Sequence, residues 1–139
     1  MRKHLVLCLM LLITVLFAGC DKQVVKPQIP KVEDVQSLTF VISQTEEKTV
    51  NKGDSDASSV FRKILMFIEN GQSQGYDRNI PSQLIATNIV TITLKDNKYI
   101  ELTPGDGVVY VQQGYKSYRI ESQDLSHWLY EDWKQDLKS

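Results

Sequence analysis

Leu38, Phe40 and Ile42 alternate with Thr39, Val41 and Ser43, the period of a half-buried strand. A polar turn at residues 44–46 and the short run Lys48-Thr49-Val50 predict a hairpin with a weak second arm. Gly53-Asp54-Ser55-Asp56 then breaks the chain. Val60, Phe61, Ile64, Leu65 and Ile68 follow at helical spacing, with Asp56 or Ser58 as the cap and Asn70-Gly71 as the stop. Met66 and Phe67 widen the apolar face, so this helix is expected to lie against a sheet. Residues 71–88 carry no clear period and read as a loop of about 18 residues that includes Tyr76; loops of this length are often functional, which makes it a candidate contact surface.

The period of two resumes at Ile89–Lys95, turns at Asp96-Asn97 and returns as Tyr99–Leu102. Thr103-Pro104-Gly105-Asp106-Gly107 separates this pair from Val108–Gln112, and Gln113-Gly114 turns the chain into Ser117–Ile120. Short alternating runs joined by tight turns predict an antiparallel meander. Ser122, with Asp124 in the first turn, opens a last helix whose Leu125, Trp128, Leu129, Trp133 and Leu137 share one face. The expected fold is α+β: an antiparallel sheet of about five to six strands with two helices packed on one face, in the order β-β-α-β-β-β-β-α.

The amino-terminal pattern is of a different kind. Arg2, Lys3 and His4 precede an apolar run from Leu5 to Phe17 relieved only by Thr14, and Ala18-Gly19 stand before Cys20. This is the layout of an export signal, and its apolar run of about 13 residues is short of the roughly 20 that span a bilayer. Leu16-Phe17-Ala18-Gly19-Cys20 resembles the lipobox of bacterial lipoproteins, with Phe17 where leucine is commonest. The resemblance implies cleavage before Cys20 and a diacylglycerol thioether on its sulfur; the competing reading is a plain secretory signal with a chance cysteine. Two or three acyl chains, at about 0.8 kcal/mol per buried methylene, hold a protein on a bilayer almost irreversibly. The expected organisation is therefore a cleaved signal at 1–19, a lipidated cysteine and tether at 20–36, and one α+β domain at 37–139. Pro27 and Pro30 among polar residues suit a tether, whose roughly 16 residues would let the domain stand some 20 Å from the membrane. The expected location is the extracytoplasmic face of the plasma membrane. The layout as a whole, with the Asp/Ser break before the amphipathic helix and Tyr118-x-Ile120 running into the last helix, resembles small extracytoplasmic lipoproteins of Gram-positive bacteria, a likeness of architecture that implies no activity.

Composition narrows the partners. Loss of residues 1–19 leaves 120 residues, enough for one modest core, and removes Cys8 along with the signal. With Cys20 acylated, no cysteine is free for a disulfide or a thiolate metal site. Fourteen basic residues then face 17 acidic ones, a net charge of about −3 without a basic run, which disfavours nucleic acid as a partner.

Candidate chemistry is sparse. His127 is the one histidine left after cleavage, without a second histidine or a cysteine to complete a triad or metal site. Asp54-Ser55-Asp56-Ala57-Ser58 offers oxygens at alternate positions like half a calcium loop, but Leu65 stands where the bidentate glutamate belongs, and helix capping explains it better. The glycines of Thr103–Gly107 lack a following helix, so they read as a turn and not a phosphate cradle. Glu46-Glu47 and Glu131-Asp132 are adjacent acids that point apart. No cofactor is expected. Tyr110, Tyr115, Tyr118, Trp128, Tyr130 and Trp133 crowd the last 30 residues, where core filling accounts for the tryptophans. Tyr115, Tyr130 and the loop residue Tyr76 are the candidate binding residues, since tyrosine is favoured at recognition surfaces. The expected function is a non-catalytic interaction module that binds an envelope protein or membrane complex. A small-ligand or glycan-binding module is the alternative, to be recognised by Tyr110, Tyr115 and Tyr130 lining one concave surface. A hydrolase ranks third.

Overall fold

Residues 24–43, 45–77 and 88–137 are described by the computed structural model. The expected export signal, Cys20 and most of the expected loop, residues 78–87, lie outside these residues. Seven strands form one antiparallel sheet: β1 (Val35–Ser43), β2 (Glu46–Asn51), β3 (Gln72–Tyr76), β4 (Ile89–Leu94), β5 (Tyr99–Pro104), β6 (Val108–Gln113) and β7 (Lys116–Glu121). Their spatial order is β2-β1-β4-β5-β6-β7-β3. Helix α1 (Ala57–Asn70) follows β2. A carboxy-terminal helical stretch follows β7: α2 (Gln123–His127), a π-helical turn (Trp128–Asp132) and α3 (Trp133–Asp136).

Register explains the single core. Phe40, Val90, Leu102, Val111 and Tyr118 are cross-strand neighbours in one row, and all five are buried on the helix side. The matching row on the other side is Thr49, Thr39, Thr91, Glu101, Gln112 and Ser117, none of them buried. Period-two alternation thus divides a dry face from a polar one. Helix α1 sets Val60, Phe61, Ile64, Leu65 and Ile68 into the core, as its spacing predicts, and Phe67 packs partly against it. Met66, expected to widen that face, is instead 50% exposed. The π-helical turn brings Trp128, Leu129 and Trp133 inward together. Trp133 stacks on Phe40 at 4.3 Å, and Trp128 meets the same ring edge-on at 6.0 Å. Such pairs contribute about 0.5–1.5 kcal/mol each beyond the area they bury.

Three expectations need correction. The sheet has seven strands, not five to six, because Gln72–Tyr76 is a strand where a loop was expected. Its sequence Gln-Ser-Gln-Gly-Tyr has no apolar alternation, since β3 is an edge strand held by backbone pairing to β7, with an irregularity between Ser73 and Tyr76 where Gly75 takes φ 86°. Second, Asp56 precedes α1 without a side-chain cap; the Asp54 carboxylate instead closes the preceding turn by accepting from the Asn51 N–H at 2.7 Å. Gly71 ends α1 as expected, at φ −66°. A glycine is needed there because a Cβ would lie 2.3 Å from Ile120 Cγ2 of β7. The third correction concerns the expected tether. Pro27 is buried, Ile29 and Val32 pack on the core, and a 3-10 turn at Val32–Asp34 leads into β1. Residues 25–34 are a strap along the domain, pinned at both ends. Its Val25 carbonyl accepts from Ser73 Oγ at 2.8 Å, and the Asp34 carbonyl accepts from the Lys95 N–H at 2.9 Å.

The last helix begins as its sequence indicates: Ser122 Oγ accepts from the Leu125 N–H at 3.2 Å, and Asp124 sits in the first turn. Its docking also uses polar contacts to the end of β5. Ser126 Oγ donates to the Gly105 carbonyl, and the Tyr130 hydroxyl donates to Pro104 at 3.3 Å.

Candidate functional site

The strap builds a cleft at one end of the sheet. Gln28, Pro30 and Asp34 form one wall, the β4–β5 turn from Leu94 to Tyr99 forms the other, and Gln113-Gly114 closes the end, enclosing about 810 Å³. Gln113 fixes the strap wall by a double hydrogen bond, its Oε1 accepting from the Gln28 N–H at 2.9 Å and its Nε2 donating to the Gln28 carbonyl at 2.6 Å. The opposite wall is shaped by Asn97, which takes φ 62° in the tight turn, a conformation asparagine tolerates better than most residues.

Electrostatically the cleft is balanced. Across the turn Lys98 Nζ pairs with Asp96 at 2.6 Å, which lowers the Asp96 pKa and raises that of Lys98. Near the Asp34 end, Lys52 Nζ donates to the Glu33 carbonyl, and its pKa is lowered by partial desolvation and then by the neighbouring Lys95. The lining therefore offers Pro30, Leu94, Ile100 and Tyr99 as apolar surface, three amide side chains and charges of both signs. That chemistry suits recognition of an extended peptide or a small amphipathic molecule.

The residues singled out from sequence do not converge. Tyr115 is fully exposed at the β6–β7 turn, beside Gly114 at the mouth of the cleft. Tyr130 is 38% exposed and bonded near Pro104, at the opposite end of β6 from Tyr115. Tyr110 is 7% exposed. The three tyrosines therefore do not line one concave surface. Tyr76 lies on β3, its ring 5.0 Å from that of Tyr118 and 5.8 Å from Lys116 Nζ. Burial, and then the neighbouring Tyr76 hydroxyl, raise the pKa of Tyr118. His127 is largely exposed, with Nε2 3.7 Å from an Asp132 carboxylate oxygen. Among the described residues there is no group of three or more potential metal ligands, and no helix is long and apolar enough to cross a membrane. Cys20 lies outside the described residues.

Sequence reasoning missed Tyr99, 56% exposed on the cleft wall, and the pair Gln28 and Gln113. A signal for Tyr99 existed, since it directly follows the Asp96-Asn97 turn. None existed for the glutamines, which meet across 85 positions of sequence. Compared with known proteins, the chain matches no protein family, no curated protein and no solved structure.

Proposed function

We propose that this chain is a lipid-anchored extracytoplasmic interaction module, held on the plasma membrane through Cys20 and contacting an envelope protein at the strap cleft. The observation that carries the contact surface is the pair of exposed tyrosines, Tyr99 and Tyr115, at the same end of the sheet beside that cleft. Tyrosine offers a large, stiff contact area with a polar tip, which is why exposed tyrosines beside a groove favour recognition. The anchor rests on Leu16–Cys20 and its resemblance to the lipobox. Binding of a small ligand is the second reading, supported by a cleft volume within the range of ligand sites.

The test is crosslinking in intact cells followed by affinity recovery, comparing the native protein with Cys20→Ser and with Tyr99→Ala/Tyr115→Ala. One envelope protein recovered with the native form, and lost from both variants at equal expression, is the expected result. A recovery unchanged by the tyrosine substitutions would remove the cleft from the reading. Recovery of no partner, together with a ligand-induced rise in Tm, would favour the small-ligand alternative.

A further inference from the structure

We infer that the anchor holds the domain with edge strand β3 turned toward the bilayer, so that the protein has a fixed orientation on the membrane. This rests on the reading of Cys20 as acylated. The strap is the first reason. Ser73 Oγ binds the Val25 carbonyl at 2.8 Å, Pro27 is buried, and Gln113 clamps the Gln28 backbone from both sides. The first hydrogen-bonded residue of the strap, Val25, is thus only five residue steps from Cys20. The five residue steps from Cys20 to Val25 reach at most about 18 Å fully extended, and about 12 Å as a flexible coil.

The second reason is where that short linker attaches. Ser73 belongs to β3, the outermost strand on its side, so the chain runs to the anchor from the β3 edge. Val24 and Val25 are 52% and 42% exposed there, and Tyr76, three residues along the same strand, is 52% exposed. Lys116 lies over the Tyr76 ring. An exposed tyrosine with a lysine beside it suits the headgroup layer, where an aromatic body and a cationic tip are both satisfied. The far edge differs in position. Strand β2, with Glu46, Glu47 and Lys48, is separated from β3 by six strand spacings, roughly 29 Å at the usual 4.8 Å each.

Those two edges supply the test. The mature chain with Cys20 acylated has no other cysteine, so Gln74→Cys on β3 and Lys48→Cys on β2 each accept a single fluorophore. The acylated proteins are purified from membranes, reconstituted into phosphatidylcholine vesicles containing headgroup-nitroxide lipid, and read by fluorescence quenching. Quenching at position 74 several-fold stronger than at position 48 is expected, and the ratio should fall in Ser73→Ala/Gln113→Ala, which removes the hydrogen bonds holding the anchor-side end of the strap. Gln113→Ala alone serves as the milder variant should the double change perturb folding. Equal quenching at both positions in vesicle-bound protein overturns the orientation and leaves the anchor standing. A strap variant that keeps the full ratio overturns the strap as its cause. Protein that stays in the aqueous fraction, with an intact mass lacking the diacylglycerol, overturns the anchor and the orientation with it.

Discussion

Replacing Asp136 by alanine strands a buried hydrogen-bond donor, and the cost can be worked from the contacts. One oxygen of this carboxylate accepts from the Trp128 indole N–H at 2.7 Å and from Lys63 Nζ at 2.7 Å. Trp128 is 1% exposed, so without Asp136 its N–H loses that acceptor in a place water does not readily reach. An unsatisfied buried donor costs about 1–3 kcal/mol. The Lys63 ion pair is partly solvated, with side chains 41% and 31% exposed, and contributes at most about 1 kcal/mol. Asp136→Ala is therefore expected to destabilise by about 2–3 kcal/mol and Lys63→Ala by less than about 1 kcal/mol. Urea unfolding followed by tryptophan fluorescence measures both, since Trp128 and Trp133 are the only tryptophans and both are buried. In a Trp128→Phe background the donor is absent, so Asp136→Ala should cost under about 1 kcal/mol. Equal costs of Asp136→Ala in the two backgrounds would refute the assignment.

The same carboxylate gives a pH dependence. Burial alone would raise its pKa, but the hydrogen bonds from Lys63 and Trp128 outweigh it and the net shift is downward. A depressed native pKa stabilises the fold above the unfolded-state value of about 3.9, and that contribution is lost as pH falls through the native value. The stability gap between wild type and Asp136→Ala should therefore be constant from pH 5 to 7 and narrow below about pH 4. A gap that widened on acidification would contradict the sign.

Gly71→Ala should destabilise by about 2 kcal/mol or more, because the added methyl meets Ile120 Cγ2 and α1 must move off β7; thermal unfolding reads this as a lower Tm. Ser122→Ala removes the cap of the last helix at a cost of about 1 kcal/mol, measurable by urea titration. Gln113→Ala breaks both bonds to Gln28 and should speed amide exchange at Gln28 and Ile29 while the amides of β4 and β5 stay protected.

Periodicity alone determined a good part of this protein. The alternation in β1, β4, β5, β6 and β7, the helical spacing of Val60 to Ile68, and the Ser122 cap are local signals, because side-chain direction repeats every two or 3.6 residues whatever the chain meets later. The α+β class followed from their order, and Cys20 was singled out by the residues before it. What escaped depended on partners distant in sequence. Strand β3 forms because the β7 edge offers it backbone bonds, so Gln72–Tyr76 needed no apolar pattern. Gly71 reads locally as an ordinary helix stop and is explained only by Ile120 of β7. Residues 25–34 look like a tether because what holds them, the hydrogen bonds from Ser73 and Gln113 and the core surface under Ile29 and Val32, lies far away in sequence. The cleft beside Tyr99 arises where the strap meets the sheet, and Tyr115 and Tyr130 are separated because they sit at opposite ends of β6. Such contacts join residues tens of positions apart, and no local period encodes them.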